Sequence, residues 1–103
     1  MPATALQTFK AQFFRALSHP VRIKILEILI GGDRSVQELQ ETLKLDQPVV
    51  SQQLAVLRGQ GVVRARRDGP WVRYTINDER ARRIVECLRE PETHELAGTA
   101  GVA

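Results

Sequence analysis

A mainly α (α+β) fold is predicted by three features of this 103-residue chain. Apolar residues recur every three or four positions from Leu6 to Leu57, the stretch from Val62 to Ile76 alternates in steps of two, and helical spacing returns between Ala81 and Leu88. Breaks at Pro20, Gly31-Gly32, Gly61, Gly69-Pro70 and Pro91 divide the pattern into about five helices and a two-stranded β-hairpin.

The first helix opens at Thr4, where Thr4-x-x-Gln7 has the form of a capping box, and its apolar positions are Leu6, Phe9, Phe13, Ala16 and Leu17. Phe14 adds a second apolar edge, so this helix is expected to pack against two surfaces, the second supplied by a partner subunit. Ser18-His19-Pro20 interrupts the periodicity. Pro20 suits the first turn of a new helix, and His19 reads as its N-cap rather than as a metal ligand. Val21, Ile23, Ile25, Leu26, Ile28, Leu29 and Ile30 make that second helix apolar nearly all round, which places it at the centre of the core. Gly31-Gly32 ends it with residues that tolerate the left-handed conformation.

Ser35-x-x-Glu38 is a second capping box and opens a third helix whose buried stripe is Val36, Leu39 and Leu43. Lys44-Leu45-Asp46 turns the chain, with Leu45 pointing inward and Asp46 placed to cap the fourth helix; Pro48 falls in that helix's first turn. Val50, Leu54 and Leu57 share one face of the fourth helix, and a rotation of about 100° per residue puts Val49, Gln52 and Val56 opposite them. This outward face carries no charge, which is unusual for a solvated surface and suits contact with base edges. The stretch from Ser35 to Leu57 therefore reads as a helix-turn-helix.

Val62 to Arg67 and Trp71 to Ile76 alternate on either side of Asp68-Gly69-Pro70, a hairpin with Val63, Ala65, Val72, Tyr74 and Ile76 inward and Arg64, Arg66 and Arg73 outward. Asn77 or Asp78 then caps a last helix with apolar positions Ala81, Ile84, Val85 and Leu88.

Size and charge narrow the function classes. Residues 1–96 are expected to form one domain and the small-residue stretch 97–103 a flexible tail, too little chain for a catalytic domain beside a sensor domain. With 43% hydrophobic and 26% charged residues the chain is not wholly disordered. The net charge is only +3, but from Arg58 to Arg73 five arginines face the single aspartate Asp68, so positive charge gathers in the hairpin region. Cys87 is alone and cannot form an internal disulfide, and neither a secretory signal nor a membrane-length apolar run is legible, which predicts a reducing, cytoplasmic setting. Beside the apolar stripe of the last helix, Cys87 is expected to be a buried structural thiol.

Helices, a helix-turn-helix, a basic hairpin and a closing helix follow one another in the order of a winged helix-turn-helix. The runs Leu17-Ser18-His19-Pro20-Val21-Arg22-Ile23-Lys24-Ile25-Leu26, Val50-Ser51-Gln52-Gln53-Leu54-Ala55-Val56-Leu57-Arg58-x-x-Gly61-Val62-Val63 and Arg66-Arg67-Asp68-Gly69, with Tyr74, resemble the ArsR/SmtB family of bacterial transcriptional regulators. The resemblance covers about residues 10 to 90. It implies a homodimer paired through the first and last helices that binds an imperfect palindrome in double-stranded DNA and represses transcription until an effector releases it.

On that reading residues 47–59 form the recognition helix and 62–76 the basic wing. Gln52 and Gln53 stand where the family usually has a basic residue and a histidine, and a glutamine can make two hydrogen bonds to adenine. Val49 is suited to a thymine methyl, Pro48 sets the helix entry, and Gln47 and Ser51 sit where the helix N-terminus favours a phosphate. Arg66, Arg67 and Arg73 are expected to reach the flanking backbone or minor groove.

The sequence departs from the family's metal-sensing patterns. Its third helix has no cysteine or histidine, and Asp78 is followed by Glu79 and Arg80 without the histidine that the resemblance leads one to look for. No cofactor is required by the sequence; His94 with Glu90, Glu92 and Glu95 is the one set with donors for a divalent metal such as nickel, cobalt or zinc, across a two-fold axis. The alternative function is a winged-helix protein-interaction module, or a co-regulator acting with a partner protein. RNA binding has less support because aromatic residues are only 5% of the chain, and an enzyme least, since no nucleophile–base pair, phosphate loop or two-carboxylate cleft is legible.

Overall fold

The computed structural model describes residues 4–89. Five helices, α1 (Ala5–Leu17), α2 (Pro20–Ile30), α3 (Val36–Leu43), α4 (Gln47–Gly59) and α5 (Glu79–Cys87), surround a small sheet of β1 (Arg34–Ser35), β2 (Val63–Asp68) and β3 (Trp71–Ile76). The tail 97–103 and the acidic set Glu90, Glu92, His94 and Glu95 lie outside the described residues.

The helix starts follow from local chemistry. Thr4 and Ser35 each form the reciprocal capping box, with Gln7 and Glu38 as the returning side chains. His19 caps α2 by accepting the Val21 N–H on Nδ1 at 3.1 Å. Asp78, rather than Asn77, caps α5 through the Arg80 N–H. Asp46 stands at the N-cap of α4 but makes no side-chain cap bond, contrary to expectation. The difference from His19 lies in where the proline falls: Pro20 is the first residue of α2 and leaves the second donor in place, whereas Pro48 is the second residue of α4 and removes it. The next donor, Val49 N–H, is satisfied by the Asp46 carbonyl at 3.1 Å.

Lys44 closes α3 in the left-handed conformation, φ 59° and ψ 42°, and this residue makes the turn of the helix-turn-helix. At the end of α2, Gly31 is right-handed, and Gly32 alone takes a positive φ, 135°.

The sheet has three strands in the order β1-β3-β2, not the two expected. Arg34 pairs with Tyr74 and Ser35 with Arg73, adding an edge to the hairpin. Two residues are too few to show alternation. They are extended because an N-cap residue takes β-region angles, here φ −81° and ψ 165° at Ser35. In the hairpin itself Asp68 pairs with Trp71, so the loop is Gly69-Pro70, with Gly69 at φ 61° supplying the positive φ of a two-residue turn.

The core centres on α2, as its composition predicts. Ile25, Leu26 and Leu29 pack with Leu39 of α3, Val50, Leu54 and Leu57 of α4, Val62 and Val63 at the start of the hairpin, and Ala81 and Val85 of α5. Phe13, Ala16 and Leu17 bring α1 onto this cluster. The opposite edge of α1 stays open, with Leu6 60% and Phe14 56% exposed, and Leu88 beyond α5 is 77% exposed. Phe14, Ile23, Ile84 and Leu88 line one apolar groove of about 700 Å³ between α1, α2 and α5. Cys87, at the end of α5, is exposed, not buried as expected. Helical rotation explains the error: Ala81 and Val85, the two buried residues of α5, are four apart, and Cys87 falls off their face.

Arg80 joins the two terminal helices. Its guanidinium binds the Asp78 carboxylate at 2.8 Å and lies 5.4 Å from the ring centres of both Phe9 and Phe13. The Arg80 side chain holds the Asp78 carboxyl below the usual carboxylate range.

Candidate nucleic-acid interface

Burying Val50, Leu54 and Leu57 against α2 forces the other side of α4 outward. Val49 is 39% and Val56 41% exposed, and Gln52 between them is exposed with no internal partner among the described residues. Pro48 is exposed at the first turn. There the Gln47 amide donates to Ser51 Oγ at 2.8 Å, so these two polar side chains act as one unit.

Gln53 is placed differently from Gln52. It is half-buried, and its carbonyl oxygen accepts from Arg22 Nη1 at 2.8 Å. Arg22 also donates to Ala16 O at 2.7 Å and to Arg15 O at 3.2 Å, two carbonyls in the last turn of α1, of which Arg15 O also accepts the Ser18 N–H. One guanidinium thus ties the end of α1 to the middle of α4. Arg22→Ala is expected to cost about 1.5–3 kcal/mol in urea unfolding, the range for hydrogen bonds to a charged group. A variant with an unchanged midpoint would show that water replaces these bonds at no cost.

The wing arginines divide in the same way. Arg66 is exposed but bonded to Asp33 Oδ2 at 2.9 Å. Arg73 is half-buried, donates to Asp33 O at 3.2 Å and lies 3.3 Å from Glu38 Oε1, so it does not project freely as expected. The third strand covers its edge of the hairpin. Arg64 and Arg67 are exposed and without an acidic partner among the described residues. The Arg66 hydrogen bond holds the Asp33 carboxyl below its ordinary range, and the Ser35 backbone N–H does the same for Glu38. Both acids are therefore charged at neutral pH and act as fixed counter-charges.

Arg22, Asp33 and Glu38 were not legible as parts of this region, because each acts through a residue distant in sequence. Trp71 at the wing tip, 48% exposed, was also missed as a surface feature. Among the described residues no group of three or more His, Cys, Asp or Glu side chains is arranged to hold a metal ion, and no helix is long and apolar enough to cross a membrane.

A helix-turn-helix whose second helix turns an uncharged face outward, with an arginine-bearing hairpin beside it, is a winged helix-turn-helix, and its family and relatives make it a DNA-binding transcriptional regulator and not an enzyme. Residues 19–65 match the model for bacterial regulatory proteins of the arsR family. The uncharacterized HTH-type transcriptional regulator Rv0081 of Mycobacterium tuberculosis (strain ATCC 25618 / H37Rv) is 51% identical over 77 residues, 74% of this chain and 68% of that protein. Its crystal structure superimposes with a TM-score of 0.77 over 98% of this chain and 100% of that one, at 40% identity. The transcriptional repressor BigR from Xylella fastidiosa matches with a TM-score of 0.72 at 38% identity, over 76% of this chain and 80% of that chain. The homodimeric winged helix-turn-helix DNA-binding domain Mb0332 from Mycobacterium bovis matches at 0.76 and 30%, over 82% and 78%. The chain belongs to the ArsR family.

Proposed function

We propose that the protein works as a homodimeric repressor in the cytoplasm, pairing through α1 and α5 and binding a palindromic operator with one α4 in each of two major-groove half-sites. The observation that carries this reading is the uncharged exposed face of α4, Val49, Gln52 and Val56, set beside a basic hairpin. Gln52 reads an adenine by two hydrogen bonds, and Val49 packs on a thymine methyl. Pro48 fixes the approach, and the polar Gln47–Ser51 pair in the first turns of α4 meets phosphate through its side chains. Gln53 supports the helix through Arg22, which takes one acceptor site of its carbonyl oxygen and leaves its amide N–H₂ available to DNA. Arg67 supplies the wing's ready charge, with Arg66 and Arg73 behind it in the ion pairs already described. Half-sites about one helical turn apart fit such a dimer.

The relatives' names support repression, since BigR is described as a transcriptional repressor, and the homodimeric Mb0332 domain supports pairing. An effector, if a divalent metal, would have to use the set around His94 or residues of a second subunit, because the described residues of one chain hold no such cluster.

Selecting bound duplexes from a random pool tests the reading. Gln52→Ala is expected to lose about 1–3 kcal/mol at one base pair in each half-site and leave the other positions as they were. An identical selected profile would take Gln52 out of base readout.

A further inference from the structure

The two acids beside the wing have an arrangement that the DNA-binding reading does not require. On the outer sheet face Arg66 pairs directly across from Arg73, and two like charges in that position repel. Asp33 and Glu38 resolve the conflict. Arg73 is fixed from two sides, by the Asp33 carbonyl and by Glu38, whose carboxylate is itself held by the Ser35 N–H at 2.8 Å. Its side chain is only 26% exposed, so it serves as a fixture of the wing. Arg66 is held by one carboxylate and is 56% exposed. An exposed pair of this kind contributes little to stability, so a phosphate can exchange with the carboxylate.

Resting on the reading that the wing meets the DNA backbone, we infer that Asp33 competes with backbone phosphate for the Arg66 guanidinium and thereby tempers the sequence-independent affinity of the protein for DNA. The carboxylate accepts from Arg66 Nη2, at 2.9 Å, a hydrogen bond that a phosphate oxygen would otherwise take, and it leaves a negative charge on the surface once Arg66 moves away. Both effects oppose nonspecific binding, which is almost entirely electrostatic. Arg64 and Arg67, both with no acidic partner among the described residues, carry the backbone contact that remains.

The test is the salt dependence of binding to a duplex of scrambled sequence, followed by fluorescence anisotropy between about 50 and 300 mM salt. Asp33→Asn is expected to steepen the log–log slope by about 0.9 per protomer and to tighten binding on the order of five- to tenfold at 0.1 M salt, the effect of one added phosphate contact. The double variant Asp33→Asn with Arg66→Ala should have the slope of Arg66→Ala alone, because the gain passes through Arg66. In the parent background Arg67→Ala should flatten the slope by about the same amount and Arg66→Ala by less, a comparison that does not depend on how Asp33→Asn folds. An unchanged slope in Asp33→Asn overturns the inference, as does a gain that survives in the double variant, which would be a general effect of net charge. Failure of the parent itself to bind any duplex in a salt-dependent way would overturn the DNA-backbone reading and this inference together, a result distinct from a parent that binds and a variant that does not differ.

Discussion

Phe14→Glu is expected to yield a folded monomer whose affinity for a two-half-site operator is lower by a factor on the order of 100 or more, the loss that follows when two linked binding events become separate ones. The side chain is 56% exposed in the single chain, so a charge there meets water and not the core. Its one close aromatic neighbour is Phe13, 5.8 Å away edge to face, and losing that pair costs about 0.5–1.5 kcal/mol, too little to unfold a domain of this size. In a dimer paired through α1 and α5 the same glutamate would be buried against Ile23, Ile84 and Leu88 of the groove it lines, without a partner charge. Sedimentation or light scattering reads the mass, circular dichroism the fold, and operator titration the affinity. Leu88→Glu, at a position 77% exposed, should reproduce the result from the other helix. A Phe14→Glu protein that remains dimeric with full operator affinity would place the subunit contact elsewhere.

Several parts of this architecture were readable from the chain because they depend on neighbours within four residues. The capping boxes at Thr4 and Ser35, the histidine cap at His19 and the buried face Val50, Leu54, Leu57 all follow from local spacing and were found as expected. Asp46 shows how narrow that legibility is: a proline moved by one position removes the donor that the cap would use. Cys87 was misplaced because it falls off the Ala81–Val85 face, and Arg73 because its exposure depends on Asp33 and Glu38, which are distant in sequence.

The candidate interface was legible in its outward helix face and only partly in its charges. Arginine-rich sequence says that positive charge is present, but its availability is set by Asp33, 33 residues from Arg66 and 40 from Arg73. Likewise Gln52 and Gln53 are equivalent in sequence and different in structure, because Arg22, 31 residues from Gln53, occupies the carbonyl of only one. Asp33 and Glu38, which flank β1, reach the hairpin arginines because that two-residue strand, extended at a helix cap, pairs with β3.

The strongest destabilisation by a single truncation is expected at Leu54, where replacement by alanine should lower the unfolding free energy by about 2–5 kcal/mol. Leu54 is 1% exposed and belongs to the cluster that joins α4 to Ile25, Leu26 and Leu29 of α2. Removing its branched end takes away transfer energy and leaves a cavity beneath the recognition helix, and a domain with a total stability of about 5–15 kcal/mol has little to spare. Gln52 lies two residues away and therefore about 160° around the helix, so its truncation should leave stability within about 0.5 kcal/mol of the parent. The two variants separate what the helix rests on from what it reads. Urea unfolding at one fixed protein concentration should move the Leu54→Ala midpoint and not the Gln52→Ala midpoint, while base preference, measured where both remain folded, should move only in Gln52→Ala. A Leu54→Ala midpoint equal to the parent's would mean that α4 does not rest on this cluster, and the outward placement of Val49, Gln52 and Val56 would lose its physical basis.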